Sequence, residues 1–210
     1  MIFDCLIIGS GIAGLQCAAN LNPSLNVAVI CNNDPKECNT AYAQGGVAVS
    51  LDSIDVKSHI EDTLKTGAGL CRREAVELLC SESIPTIKEF IERGFVFDGD
   101  ENGALHYTQA DAHSKRRIIP AGSDKTGEKM EEFLLSHTKT KIFDNLSVSD
   151  IDINENGFVN IECYSKEGFV RFGASVLVLA YGGIGSIYKY HTNSKSINGE
   201  LTGLCIEKGF

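Results

Sequence analysis

Two stretches hold residue types whose spacing could do chemistry. The first is Gly9-Ser10-Gly11-Ile12-Ala13-Gly14, with glycines spaced G-x-G-x-x-G. Gly9 permits a tight turn, Gly11 lets the backbone approach a pyrophosphate, and Gly14 lets the next helix lie close on its strand. The N–H groups of a helix start, backed by the macrodipole, then favour phosphate charge. The second is the run from His106 to Ile118, which concentrates two histidines, an acid and the adjacent cations Lys115, Arg116 and Arg117 in an otherwise acidic chain. It reads either as a basic surface turn or as a loop facing a dicarboxylate, since cations and hydroxyls suit carboxylate recognition.

The elements around the glycines are the ones this chemistry needs. An apolar run, Phe3 and Leu6 to Ile8, leads into the hexad, and Leu15, Ala18, Ala19 and Leu21 follow at helical spacing. Asn22-Pro23-Ser24 breaks that pattern. Val27 to Ile30 then reads as a second buried parallel strand, completing a βαβ unit. At its tip, where an acid usually holds a ribose, stand Cys31-Asn32-Asn33-Asp34. Asn32 or Asn33 either bonds a ribose hydroxyl through its amide or simply shapes a turn.

Composition narrows the rest. The chain has 210 residues, 43% hydrophobic and 22% charged, an ordinary globular balance. A net charge of −9 argues against nucleic acid and anionic membranes as partners. No segment is long and apolar enough to span a bilayer, and Phe3 to Ile8 lacks the flanks of a signal peptide, so a cytoplasmic protein is expected. The eight cysteines form no C-x-x-C pair and read as reduced core residues; the five histidines show no metal-ligand spacing, so no metal is expected.

Asn39-Thr40-Ala41-Tyr42-Ala43-Gln44-Gly45-Gly46 is small-residue sequence with no clean period, suited to lying along a ligand. With GSGIAGL before it, this NTAYAQGG segment resembles the flavoprotein family of L-aspartate oxidases and of the flavoprotein subunits of succinate dehydrogenase and fumarate reductase. The resemblance implies that residues 39–46 wrap the flavin and diphosphate of FAD. The dehydrogenase branch carries a flavin-linked histidine where Asn39 stands, and Tyr42 matches the aspartate oxidase version. Non-covalent FAD in the aspartate oxidase branch is therefore implied.

The resemblance assigns further residues along the chain. Ser147 and Val148 would meet the adenine through their backbone, and Gly182 and Gly183 in Tyr181-Gly182-Gly183-Ile184-Gly185 match a segment crossing beneath the cofactor. Glu200 takes the place of an aspartate on the ribityl side. The His106–Ile118 segment is similar to the family's "H-x-T-x-E-x-x-HSxRRI". That makes Asp111, His113 and Ser114 the substrate-facing candidates; residues 52–71 resemble the family's "SHxxDTLxAGxGLC", which makes His59 and Asp62 helix-surface or supporting residues. Ala110 replaces the glutamate that recognises the substrate amine. Either Asp111 takes over that contact through a shifted backbone, or amine recognition is weakened.

Periodicity supplies the remaining elements. Helices are expected over 53–67, over 73–93 with an interruption at Pro85, from a cap at Thr126 to His137, and from Leu201 to Lys208. Phe95 to Phe97 reads as a short strand, Lys141 to Asp144 as a core strand, Ser149 to Phe172 as a three-stranded meander, and Ala174 to Ala180 as an apolar strand. The expected fold is α/β: a Rossmann-like FAD-binding domain over residues 1–210, with a parallel sheet, a helical insertion and the β-meander. Family members also carry a capping domain and a C-terminal helical domain, so an N-terminal portion is expected. The function implied is oxidation of L-aspartate to iminoaspartate, with oxygen or fumarate as acceptor, in NAD synthesis beside quinolinate synthase. The alternatives are a fumarate reductase- or succinate dehydrogenase-like flavoprotein and an FAD-binding fragment that catalyses nothing.

Overall fold

In a computed structural model describing residues 1–210, the elements run in the order β1 (Ile2–Ile8), α1 (Ile12–Asn20), β2 (Val27–Ile30), α2 (Asn39–Tyr42), β3 (Val47–Ala48), α3 (Asp55–Thr66), α4 (Arg73–Glu92), β4 (Ile118–Ile119), α5 (Thr126–His137), β5 (Lys141–Phe143), β6 (Ser147–Ile153), β7 (Val159–Ser165), β8 (Gly168–Leu179) and α6 (Glu200–Lys208). They form two compact units, one of residues Met1–Tyr42 and Met130–Phe210, the other of Ala43–Lys129.

The first unit is built on a six-stranded sheet in the order β5-β2-β1-β8-β7-β6. Strands β5, β2, β1 and β8 are mutually parallel, while β7 and β6 continue the sheet antiparallel. The apolar runs of β1 and β2 are central, as continuous hydrophobic strands must be; Leu6, Ile7, Ala28, Val29 and Ile30 are wholly buried. The meander is present, with one difference. The stretches expected as a third meander strand and a separate apolar strand are one strand, β8. It pairs with β7 through Ala174 and with β1 from Gly173 onward. Gly173 marks the handover: a methyl there would lie 2.7 Å from the Phe158 ring.

One core of this unit centres on three rings. Phe143 meets Phe172 at 5.0 Å between centroids and Phe3 at 6.0 Å, both edge to face. Phe172 is 2% exposed. Phe172→Ala should therefore cost about 3–5 kcal/mol, from lost burial plus a cavity that its neighbours only partly fill. Urea unfolding checks this, and a loss below about 1 kcal/mol would mean the ring is not part of a packed core.

In the second unit α3 packs on α4, and β3 pairs antiparallel with β4. Helix α4 runs unbroken through Pro85, whose ring forfeits one backbone hydrogen bond rather than ending the helix. Phe95–Phe97 is not a strand. It finds no ladder partner, and its rings stack edge to face instead, Phe95 on Phe90 at 5.9 Å and on Phe97 at 4.6 Å. Thr126 starts α5 but does not cap it from outside; its Oγ1 accepts the Ala121 N–H at 3.0 Å.

Candidate functional site

In the first unit a cleft of about 250 Å³ opens at the C-terminal ends of the parallel strands, where ligands bind in open α/β sheets. Its walls come from the β1–α1 turn (Gly9 to Ala13), the loop after β2 (Cys31 to Asp34, Glu37 to Thr40), Leu146 to Val148 after β5, Ala180 to Gly183 after β8, and Ser196 to Leu201. Of the predicted cofactor residues, Gly9, Ser10, Gly11, Ile12, Ala13, Asn32, Asn39, Thr40, Ser147, Val148, Gly182, Gly183 and Glu200 line it. Gly14 lies behind the wall, Ala41 and Tyr42 are not in the lining, and Ala43, Gln44, Gly45 and Gly46 belong to the other unit.

The glycine turn is as tight as its spacing predicts. Gly9 sits at φ +116°, and a methyl there would lie 2.2 Å from the Ala180 carbonyl oxygen; one at Gly14 would lie 2.0 Å from the Gly9 carbonyl oxygen. Both glycines let three backbone segments meet. The N-cap residue, Gly11, has no side chain to cap α1, and no acid stands in its first turn. The Ile12 N–H is taken by Thr40 Oγ1 at 3.0 Å, so Thr40 holds the loop after β2 against the helix start.

That loop is clamped to residues 193–196. Asn39 Nδ2 donates to Asn193 Oδ1 at 2.7 Å, and the Ser194 N–H donates to Asn39 Oδ1 at 2.8 Å. The Ser194 and Ser196 hydroxyls donate to the Glu37 carbonyl, both at 3.2 Å, and the Tyr42 hydroxyl donates to the Glu37 carboxylate at 2.5 Å. That bond raises the Tyr42 pKa. Asn32 Nδ2 reaches the Ser196 carbonyl at 3.4 Å, so this amide serves the loop, while its residue also lines the cleft. Glu37, Cys38 and Ser196 were not singled out from sequence. The Glu37 bonds to Ser194 and Ser196 span 157 and 159 positions of chain, and no local pattern encodes them.

Two thiols line the cleft. Burial pushes Cys31 up to about 11 and also raises Cys38, so both are protonated at neutral pH. All eight cysteines are free, and no cluster of His, Cys, Asp and Glu is placed to hold a metal.

The second unit organises the other candidate segment around Arg117. This guanidinium is wholly buried and donates from Nη2 to Asp55 Oδ1 at 2.9 Å, from Nε to Asp55 Oδ2 at 3.1 Å, and from Nη1 to Asp62. Arg117 is therefore a brace and not a free carboxylate receptor, which corrects the surface-turn reading of this residue. Burial alone would raise both acids. The Arg117 and Lys115 bonds to Asp55 outweigh it and hold Asp55 well below the carboxylate range; the Ser114 N–H and Arg117 bring Asp62 down to about 2.

His113 and Ser114 join this network, and Asp111 does not. Ser114 is committed to Asp62, donating from both N and Oγ at 2.8 Å. His113 Nδ1 accepts from Arg117 Nη1 at 3.3 Å, which in the neutral ring leaves its proton on Nε2 as an available donor. Asp111 is exposed, just before Ala112 at φ +71°. His59 is buried and not on the helix surface. Its Nδ1 donates to Ser50 Oγ at 3.0 Å, Ser50 in turn donates to the Cys80 carbonyl, and burial followed by the Arg117 charge lowers its pKa.

Comparison with known proteins matches this architecture. The FAD binding domain model matches residues 4–210. L-aspartate oxidase of Clostridium perfringens is 36% identical over 98% of this chain and 47% of that protein. The chloroplastic L-aspartate oxidase of Oryza sativa subsp. japonica is 38% identical over 94% of the chain and 32% of that protein. The chain thus spans between about a third and a half of these relatives' length. Among solved structures, a quinol-fumarate reductase with menaquinol molecules superposes with a TM-score of 0.90 at 26% identity, over 100% of this chain and 38% of that one. The E. coli quinol fumarate reductase FrdA gives 0.89 at 25% identity, over 99% and 37%.

The residues present fit FAD. Beyond the Ile12 N–H that Thr40 takes, the α1 start offers N–H donors to a diphosphate, and Gly11 leaves the backbone bare beside Thr40, where a methyl would come within 3.1 Å of Oγ1. Ser147 and Val148 at one part of the wall and Glu200 at another supply polar contacts beyond the glycine turn. With a cleft of this construction inside a match that covers residues 4–210, the chain belongs to the FAD binding domain family, and FAD is its cofactor.

Proposed function

We propose that this chain is the FAD-binding part of an L-aspartate oxidase, which converts L-aspartate to iminoaspartate with oxygen or fumarate as electron acceptor. The imine would enter NAD synthesis through quinolinate synthase, in the cytoplasm. The observation that carries the reading is the likeness to L-aspartate oxidases along nearly the whole chain. FAD, when bound, supplies the hydride acceptor. Gly9, Gly11 and Ala13 receive the diphosphate against the α1 N-terminus, and Gly14 lets α1 lie close on the turn behind them. Thr40 and Asn39 keep the loop after β2 and residues 193–194 in place, and Glu200 takes the ribityl side.

Asn39 supports non-covalent attachment, because an amide engaged to Asn193 and Ser194 offers no nucleophile to the flavin. For the substrate, His113 contributes the Nε2–H donor and Asp111 a free carboxylate suited to an ammonium group, while Ser114 holds the segment to Asp62. The structural likeness to fumarate reductases favours a second reading, a dicarboxylate reductase.

The test is the visible spectrum of the purified chain before and after acid precipitation. Flavin absorbance should pass to the supernatant. A yellow pellet would return the covalent branch, and a colourless folded protein that refuses added FAD would overturn the reading. Aspartate-dependent peroxide formation, set against fumarate reduction by a reduced dye, separates oxidase from reductase. Bound FAD with neither activity would leave a cofactor-binding piece alone.

A further inference from the structure

Glu131, on α5 in the same unit as the cleft, is 1% exposed, and neither carboxylate oxygen has a hydrogen-bond partner. The side chain bearing on it is Cys38, which lines the cleft. Other charged groups nearby are engaged elsewhere. In the loop after β2, Lys36 pairs with Glu132 at 3.4 Å and Glu37 with Tyr42 at 2.5 Å; on α5 itself, Glu128 pairs with Lys125 at 3.4 Å. A carboxyl buried with no more than a thiol beside it is costly when charged, so it stays protonated or draws donors to itself.

We propose that Glu131 places a proton requirement on cofactor binding: the cleft takes FAD tightly when Glu131 is neutral and loses affinity when it ionises. Two effects act in the same direction. An ionised Glu131 adds negative charge behind the wall that must receive a diphosphate, in a medium that screens poorly. It also pulls donors from the segment around Cys38, the segment through which Thr40 meets the Ile12 N–H and Asn39 pins residues 193–194. Burial raises the Glu131 carboxyl to about 7, with Cys38 lowering it only in part, which puts the transition in an accessible range. By linkage, FAD must in turn raise the affinity of Glu131 for its proton.

The proposal rests on the cleft being the FAD site. It is tested on flavin-stripped protein titrated with FAD at about pH 6 and pH 8.5, followed by flavin fluorescence. Wild-type affinity should fall about tenfold across that interval. Glu131→Gln should bind equally at both, close to the wild-type value at the lower pH. A pH-independent wild-type affinity, or a step that persists in Glu131→Gln, overturns the proposal. Should that variant not fold, proton uptake by the wild type on binding FAD in weak buffer near pH 7.5 decides the matter: uptake supports it, and release or no change overturns it. Failure to bind FAD at either pH would overturn the cleft assignment together with the proposal, whereas flat affinity overturns the proposal alone.

Discussion

Arg117→Met should destabilise the protein by about 3–5 kcal/mol at neutral pH, one of the two largest effects expected of a single substitution here. The methionine keeps most of the buried volume, so the loss is electrostatic. Arg117 spends its donors on Asp55, Asp62, Ser58 and His113. Without it Asp55, 1% exposed, keeps the Leu51 N–H at 3.1 Å and the half-exposed Lys115 at 2.9 Å, too little to offset burial of a charge. Adding Asp55→Leu to Arg117→Met should recover much of the loss, because the orphaned charge goes with it.

The pH dependence has a definite sign. The Asp62 carboxyl is brought down from 3.8 to about 2 in the folded protein. The stabilisation it reports is complete above the unfolded value and is lost as pH falls through the folded one. The gap between wild type and Arg117→Met in urea unfolding should thus begin to narrow below about pH 4 and still be narrowing at about pH 2, because Asp55 takes up its proton after Asp62. A loss below about 1 kcal/mol at pH 7, or a gap unchanged in acid, would show that the network does not hold this unit together.

Gly14→Ala is expected to weaken FAD binding by roughly ten- to a hundredfold and to cost about 1–3 kcal/mol of stability. The added methyl would lie 2.0 Å from the Gly9 carbonyl oxygen and 3.3 Å from the Ile7 side chain. Backbone cannot step aside like a flexible side chain, so α1 must lift from β1 and carry its N–H donors out of line with the diphosphate. Gly45→Ala is the matched control. Nothing in the protein lies within 4 Å of a methyl there, so stability should stay near wild type. Urea unfolding compares the two variants and fluorescence titration with FAD checks Gly14→Ala, where unchanged affinity would remove the turn from the cofactor site.

How far the fold can be read from sequence depends on whether the signal is local. The G-x-G-x-x-G turn was legible because each glycine answers a constraint made by residues within reach of the turn, and β1, α1 and β2 carry clean periods. Phe95–Phe97 read as a strand because alternation of aromatics satisfies a strand pattern. Without a partner ladder those rings packed among themselves instead. Pro85 read as an interruption, yet α4 absorbs it, since burial of Val76, Cys80, Ile87 and Phe90 along one helix outweighs one missing bond.

For the site, residue types alone pointed to a diphosphate cradle, the family likeness extended that expectation to Asn39, Thr40, Ser147, Val148 and Glu200, and both come from chemistry that residue type and order carry. What only the tertiary structure decided is how each charge is used. Three adjacent cations looked like one basic patch, and the fold buried Arg117 against two acids from α3 while leaving Lys115 and Arg116 exposed. Glu131 carries no signal in the sequence, and the fold buried it beside Cys38 with no hydrogen bond to either oxygen. Periodicity and spacing report which backbone shape a segment adopts. Burial and pairing of charge depend on which distant segments close over it, and that geometry is written only in three dimensions.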